Sequence, residues 1–149
     1  MKRDAHDRYF VHDIIKQFFF KRLSHSKRRK HHLLAARCYE DRDDPIDLME
    51  GIYHYQQGGE YKKASQLVID TSASILDGGY ASELLAILER FDEKNLEPIV
   101  WTEILIVKGK ACNIYGEWKK ALLYLDESSD IASINDHKKL EVRAICGRL

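Results

Sequence analysis

The sequence predicts an all-α protein of stacked antiparallel helical hairpins, with at most a short strand near the N-terminus. Three observations carry that expectation. The run Gly59-Glu60-Tyr61-Lys62-Lys63-Ala64 is echoed by Gly116-Glu117-Trp118-Lys119-Lys120-Ala121, and an internal echo is the mark of a repeat architecture. From Ile14 onward, apolar residues recur at the three- and four-residue spacing of an amphipathic helix. Only two Pro and eight Gly occur in 149 residues, which leaves room for long helices.

Each echoed run reads as the corner of a hairpin. Gly59 and Gly116 can take φ > 0 and end a helix. The Glu falls in the first turn of the next helix, where the positive end of the dipole favours a carboxylate. Tyr61 and Trp118 can fill the wedge between the helices, and the two Lys face water. Ala64 and Ala121 lie one turn in, where only a small side chain lets the backbones approach.

Charge divides the chain in two. Residues 1–42 carry twelve Lys/Arg and five Asp/Glu, while residues 43–149 carry twelve and nineteen. Overall neutrality hides a basic first segment and an acidic second one. Cys38, Cys112 and Cys146 are odd in number and widely spaced, with no Cys-x-x-Cys pair. They read as mostly buried thiols in a reducing compartment. The charged N-terminus has no apolar signal core, and no apolar run reaches the length of a membrane span. The expected setting is the cytoplasm, with no membrane partner.

In chain order, residues 1–8 are charged. Tyr9-Phe10-Val11 is β-prone, and Asp13 opens a helix whose Ile14, Ile15, Phe18, Phe19 and Leu23 predict a buried face. Lys21 to His32 holds six Lys/Arg, three His and no acid; it reads as a loop entering a helix through Glu40. Asp41 to Pro45 stops that helix, with Pro45 in the first turn of the next. Residues 45–57 and 60–76 form a hairpin about Gly58-Gly59. A shorter helix covers about 80–91, and Asp92 to Pro98 is a polar break. Residues 99–115 and 117–133 form the later hairpin. Asn135-Asp136 is a turn, and a further helix begins at His137. The chain stops inside it, which points to a segment of a longer protein.

Met49 to Val68 and Leu105 to Leu125 resemble tetratricopeptide-type units. Tyr55, Gly59, Tyr61 and Ala64 match that pattern in the first, with Ile52 where the pattern prefers Gly. Gly109, Gly116, Trp118 and Ala121 match it in the second. The corners stand 57 residues apart, not a multiple of the usual repeat of about 34, so the 80–91 helix is an odd element. Upstream, the Tyr9-to-Ile15 run, the basic loop, Arg37-Cys38-Tyr39-Glu40 and Tyr53-His54-Tyr55 are similar to one junction in STAND-class regulatory ATPases. That class includes archaeal ATPases and the bacterial maltose-regulon activator, and the junction joins a winged helix to tetratricopeptide-like repeats. The resemblance implies that residues 1–42 end a winged-helix-like segment and that 43–149 are repeats. It also implies an ATPase domain upstream, since no Gly-x-x-x-x-Gly-Lys-Ser/Thr loop occurs here.

The resulting expectation is a non-catalytic sensor or protein-interaction module of a signal-transducing ATPase or transcription regulator. It carries no cofactor and binds a protein, a peptide or a small inducer. In a tetratricopeptide-type stack the first helix of each hairpin lines the concave face. Ile46, Met49, Tyr53 and Gln56 would line it from one hairpin, and Glu103, Ile106, Lys110 and Asn113 from the other. Apolar stripes of this kind also mark ordinary core. The alternative is nucleic-acid binding through Lys21, Arg22, Lys27, Arg28, Arg29 and Lys30, since such clusters neutralise phosphates. The competing account of that run is solvated surface or an intramolecular dock, and replacing Arg28, Arg29 and Lys30 by Ala is expected to leave the fold intact. His25, His31 and His32 have no acidic or Cys partner at ligand spacing, so no metal site is expected. His54 reads as a packing or hydrogen-bonding residue.

Overall fold

The computed structural model describes residues 2–3, 9–10 and 13–147. Eight helices account for most of them: α1 (Asp13–Arg22), α2 (His25–Tyr39), α3 (Pro45–Gln57), α4 (Tyr61–Asp77), α5 (Ala81–Leu88), α6 (Pro98–Tyr115), α7 (Trp118–Ile134) and α8 (Lys138–Cys146). A one-turn 3-10 helix, Glu93–Asn95, bridges α5 and α6. Lys2–Arg3 and Tyr9–Phe10 pair as an antiparallel ladder of two residues each. Val11 and His12 lie outside the described residues. No helix among the described residues is long and apolar enough to cross a membrane.

Local chemistry explains where the helices start. Asp44 caps α3, its carboxylate accepting from the backbone N–H of Ile46 and Asp47, and Pro45 takes the first turn. Ser24 caps α2 by accepting from the Lys27 N–H. The basic run is therefore almost wholly helical, and the loop before it is only Leu23-Ser24.

Helix ends repeat one device four times. After α3 the Gly59 N–H donates to Gln56 C=O and the Glu60 N–H to Tyr55 C=O. The same pair of bonds recurs at Gly79 and Tyr80, at Gly116 and Glu117, and at Asp136 and His137. This is the Schellman closure, which needs a left-handed residue. Gly59, Gly79 and Gly116 supply φ of 75°, 85° and 89°, and Asp136 supplies 55°. Glu60 and Glu117 stand just before their helices rather than inside the first turn. A side chain at Gly116 would meet nothing within 4 Å, so Gly116→Ala should lose only the left-handed backbone preference, roughly 1–2 kcal/mol. Asp136→Gly should gain a comparable or smaller amount. Urea melts of the two variants should move in opposite directions.

The main core joins α2 through α6, with Ala36, Ile52, Val68, Leu84, Leu88 and Ile104 fully buried. A second cluster of Ile106, Ala132, Leu140 and Ala144 joins α6, α7 and α8. Small residues set the closest crossings. A Cβ on Gly109 would stand 2.6 Å from Leu125 Cγ, and one on Gly51 would stand 3.1 Å from Tyr39 Cβ. Ala64 and Ala121 are fully buried, as the corner reading requires.

Three expectations are corrected. Helix α1 is not buried: Ile14, Ile15, Phe18 and Phe19 are 71%, 48%, 51% and 62% exposed. Periodicity marks an apolar face but does not supply the element that covers it. Trp118 fills no wedge and is 71% exposed, whereas Tyr61 does pack against the core. Cys38 and Cys146 are exposed, and only Cys112 is buried.

Candidate binding groove

Helices α3 and α5 leave a groove between them of about 480 Å³. One wall is Ile46, Met49, Glu50 and Tyr53 of α3, residues at positions i, i+3, i+4 and i+7 of a single face. The other wall comes from α5 and its flanks, through Tyr80, Glu83, Ala86, Ile87 and Arg90. Met49 is almost wholly buried, while Ile46 is half exposed. Arg90 lies over the Tyr53 ring at 5.0 Å, which fixes both side chains at one end. Glu83 accepts a 2.6 Å hydrogen bond from the Ser82 hydroxyl, and that bond holds its carboxyl below the usual range. The groove is thus an apolar trough with Glu50 and Glu83 on its rim and an Arg–Tyr pair closing it.

The residues expected on the concave face divide. Ile46, Met49 and Tyr53 line the groove. Gln56 does not: it is buried, and its Nε2 donates to Ile87 C=O at 3.1 Å, tying α3 to α5. The second stripe is turned largely toward α8. Glu103 receives two bonds from Arg143 Nη1, at 2.6 and 2.8 Å. Ile106 is fully buried, and Asn113 Nδ2 donates to Gly147 C=O. Lys110 and Asn113 flank a separate shallow depression with Ser72, Leu76 and Asp77. Helix α8 takes the surface that Ile106 was expected to present.

The basic run is partly structural. Arg28 Nε donates to Leu23 C=O and Arg28 Nη2 to Lys21 C=O, closing the end of α1. Arg29 Nε donates to Gly58 C=O, which pins α2 to the first corner. Lys21, Arg22, Lys27 and Lys30 remain at the surface, with the Arg22 guanidinium 4.3 Å from the Phe18 ring. Removing Arg28 and Arg29 therefore removes fold contacts as well as charge.

Beside the groove sits a ring cluster. His32 Nδ1 and His54 Nδ1 are 2.8 Å apart, so one imidazole donates and the other accepts. Tyr39 stacks on His54, Tyr53 lies edge-on to His32, and Phe20 of α1 meets His32 at 5.3 Å. Burial lowers the pKa of both imidazoles; for His32, the neighbouring His54 and His31 lower it further. The groups facing the pair are His31, Glu50, Tyr39 and Tyr53, with Arg28 over Phe20 and Arg90 over Tyr53. Glu50 lies 3.9 Å from His54 Nε2.

A folded-state pKa below the unfolded one means the unfolded chain binds more protons. The pair's contribution is then full above the unfolded value of about 6.5 and is lost as pH falls through the folded values. Melting points between pH 8 and 5 should fall with acid, and His54→Gln should flatten the slope. An unchanged slope would mean that the His32–His54 pair is not what acid acts on.

One buried cation was missed from sequence. Lys108 is buried with Nζ 4.8 Å from the Trp101 ring and 5.4 Å from the Tyr124 ring. Burial lowers its pKa, and Glu127 and Glu89 partly restore it. The available signal was the spacing of Trp101 and Lys108, two turns apart on one face of α6. Among the described residues no group of three or more His, Cys, Asp or Glu is placed to hold a metal ion. No protein-family model, no curated protein and no solved structure matches this chain.

Proposed function

We infer that this chain is a non-catalytic binding module, a tetratricopeptide-like stack whose α3–α5 groove takes an apolar peptide segment of a protein partner. The observation that carries it is the groove itself: two helix faces present apolar walls with charge confined to the rim. Ordinary binding sites for peptides combine these features. The four repeated corners support a stacked-hairpin reading, with α5 as the irregular member. The resemblance to STAND-class ATPases supports reading the module as a cytoplasmic sensor that passes on binding through hairpin packing. The free lysines of α2 leave nucleic acid as the weaker alternative, since Arg28 and Arg29 already have protein partners.

A random-peptide display library selected on the wild-type chain tests this. Enriched peptides should carry apolar anchors at helical spacing, lose binding to Ala86→Arg, and keep binding to Lys110→Ala. Ala86 is exposed in the groove, so an Arg there blocks the trough without entering the core. Absence of enrichment, or peptides indifferent to Ala86→Arg, would remove the groove from consideration.

A further inference from the structure

Helix α1 is held to the molecule by its C-terminal end. Phe20 is the least exposed of its large apolar side chains, and its ring meets the His32 ring of α2 edge-on at 5.3 Å. Arg28 of α2 lies over the same Phe20 ring and bonds to Lys21 C=O and Leu23 C=O. His32 in turn meets His54 of α3. We propose that the His32–His54 pair is an acid-released latch: it seats Phe20, and so docks α1, while at most one of its imidazoles is charged, and it lets α1 go when both are.

The arrangement of the two rings fixes how many protons they can hold. Their Nδ1 atoms are 2.8 Å apart and their centroids 5.0 Å. That gap is about the contact plus the two ring radii, so the nitrogens face each other head-on. A head-on N–H···N bond holds one proton between the rings. In the neutral pair one Nδ1 carries it and the other accepts. A first added proton goes to Nε2 of the donor ring and makes the bond charge-assisted, which strengthens it. A second has only the accepting Nδ1 left to take it. Two N–H groups, each on a cation, would then point at each other across 2.8 Å, and the rings have to part.

The surroundings decide which ring moves. Tyr39 stacks on His54 at 5.9 Å, Tyr53 lies against it at 5.3 Å, and the Glu50 carboxylate is 3.9 Å from its Nε2. A charged His54 therefore has a carboxylate to keep it in place. His32 is bounded by Tyr53 and Phe20. Tyr53 is itself held under Arg90 at 5.0 Å, so a displaced His32 moves at the expense of Phe20 on its short, largely exposed helix.

The charged and titratable groups around the pair are Lys21 and Arg22 in the last turn of α1, Arg28, His31 and Tyr39 on α2, Glu50 and Tyr53 on α3, and Arg90 beyond α5. Most of them are cations and resist a second proton. Burial, then the neighbouring imidazoles, hold His32 below the usual histidine value, and burial does the same for His54. The parted rings bind protons more readily than the paired ones. The latch is therefore closed at neutral pH and opens as pH falls below about 6.5.

Ring-proton magnetic resonance of the full chain tests this, titrated from about pH 8 to about pH 4. The two imidazoles should titrate as a coupled pair, in steps about one pH unit or more apart. Cross-relaxation between the Phe20 and His32 rings should survive the upper step and be lost with the lower one, while the Trp101 and Ile104 core signals stay in place. In His54→Gln the amide can bond His32 but takes no proton, so the Phe20–His32 contact should persist through a single His32 step. A contact that survives both steps in the wild type overturns the proposal, as do two rings that titrate independently. Release that persists in His54→Gln overturns it too. Core signals lost in the same lower step would make acid a denaturant of the whole fold and overturn it as well. The wild-type curves carry the test by themselves, whatever His54→Gln does to folding.

Discussion

Leu125→Ala is expected to cost roughly 2–5 kcal/mol, because the side chain is fully buried at the crossing of α6 and α7. Its neighbours cannot simply close the gap. Gly109 and Gly147 present backbone rather than side chain to it: a Cβ on Gly109 would lie 2.6 Å from Leu125 Cγ, and one on Gly147 would lie 3.0 Å from Leu125 Cδ2. The cavity left by truncation therefore has few atoms able to move in. The same geometry sets the response of Gly109. Ala is about 1 kcal/mol better than Gly inside a helix, yet its methyl would overlap Leu125, and overpacking costs roughly 1–3 kcal/mol. Gly109→Ala should be destabilising alone. In the double variant the new methyl enters the space that Leu125 vacates, so the cost should fall short of the two single costs together. Urea melts of the four proteins measure this. Strict additivity would mean that the helices separate at Gly109 rather than close on it.

The hairpins were legible because each rests on local chemistry. Asp44-Pro45 starts α3, the glycines at 59, 79 and 116 end helices, and the apolar spacing between them is that of one face. Which surfaces meet was not legible, because that depends on residues far apart in the chain. Ile14, Ile15, Phe18 and Phe19 have the periodicity of a buried helix face and lie exposed. Tyr61 and Trp118 occupy equivalent corner positions, yet only Tyr61 finds the core. The groove was half visible. Ile46, Met49 and Tyr53 follow from helical spacing, but their opposite wall is α5, which the repeat pattern treats as an irregularity. Gln56 sits at the right spacing and is spent on a bond to Ile87. Arg28 and Arg29 read as free charge because their acceptors are backbone carbonyls, and a carbonyl leaves no mark in the sequence.

Ala64→Leu and Ala121→Leu should each destabilise by roughly 1–3 kcal/mol through overpacking at the two corners. Both residues are fully buried, one turn into α4 and α7. A larger side chain there has to push the hairpin apart, and interiors at close-packed density yield little. The neighbouring lysines make the contrast. Lys120 is exposed and pairs with Glu117 at 2.9 Å on the surface, so Lys120→Leu should be nearly neutral. Lys63 is exposed too, with Nζ 5.6 Å from the Tyr55 ring; Lys63→Leu gives up that contact and keeps an apolar stem over the ring. Urea melts of the four variants should therefore separate by residue type and not by corner. If the lysine changes cost more than the alanine changes, the second helix of each hairpin turns a different face to its partner, and the shared corner geometry of Gly59 and Gly116 fails with it.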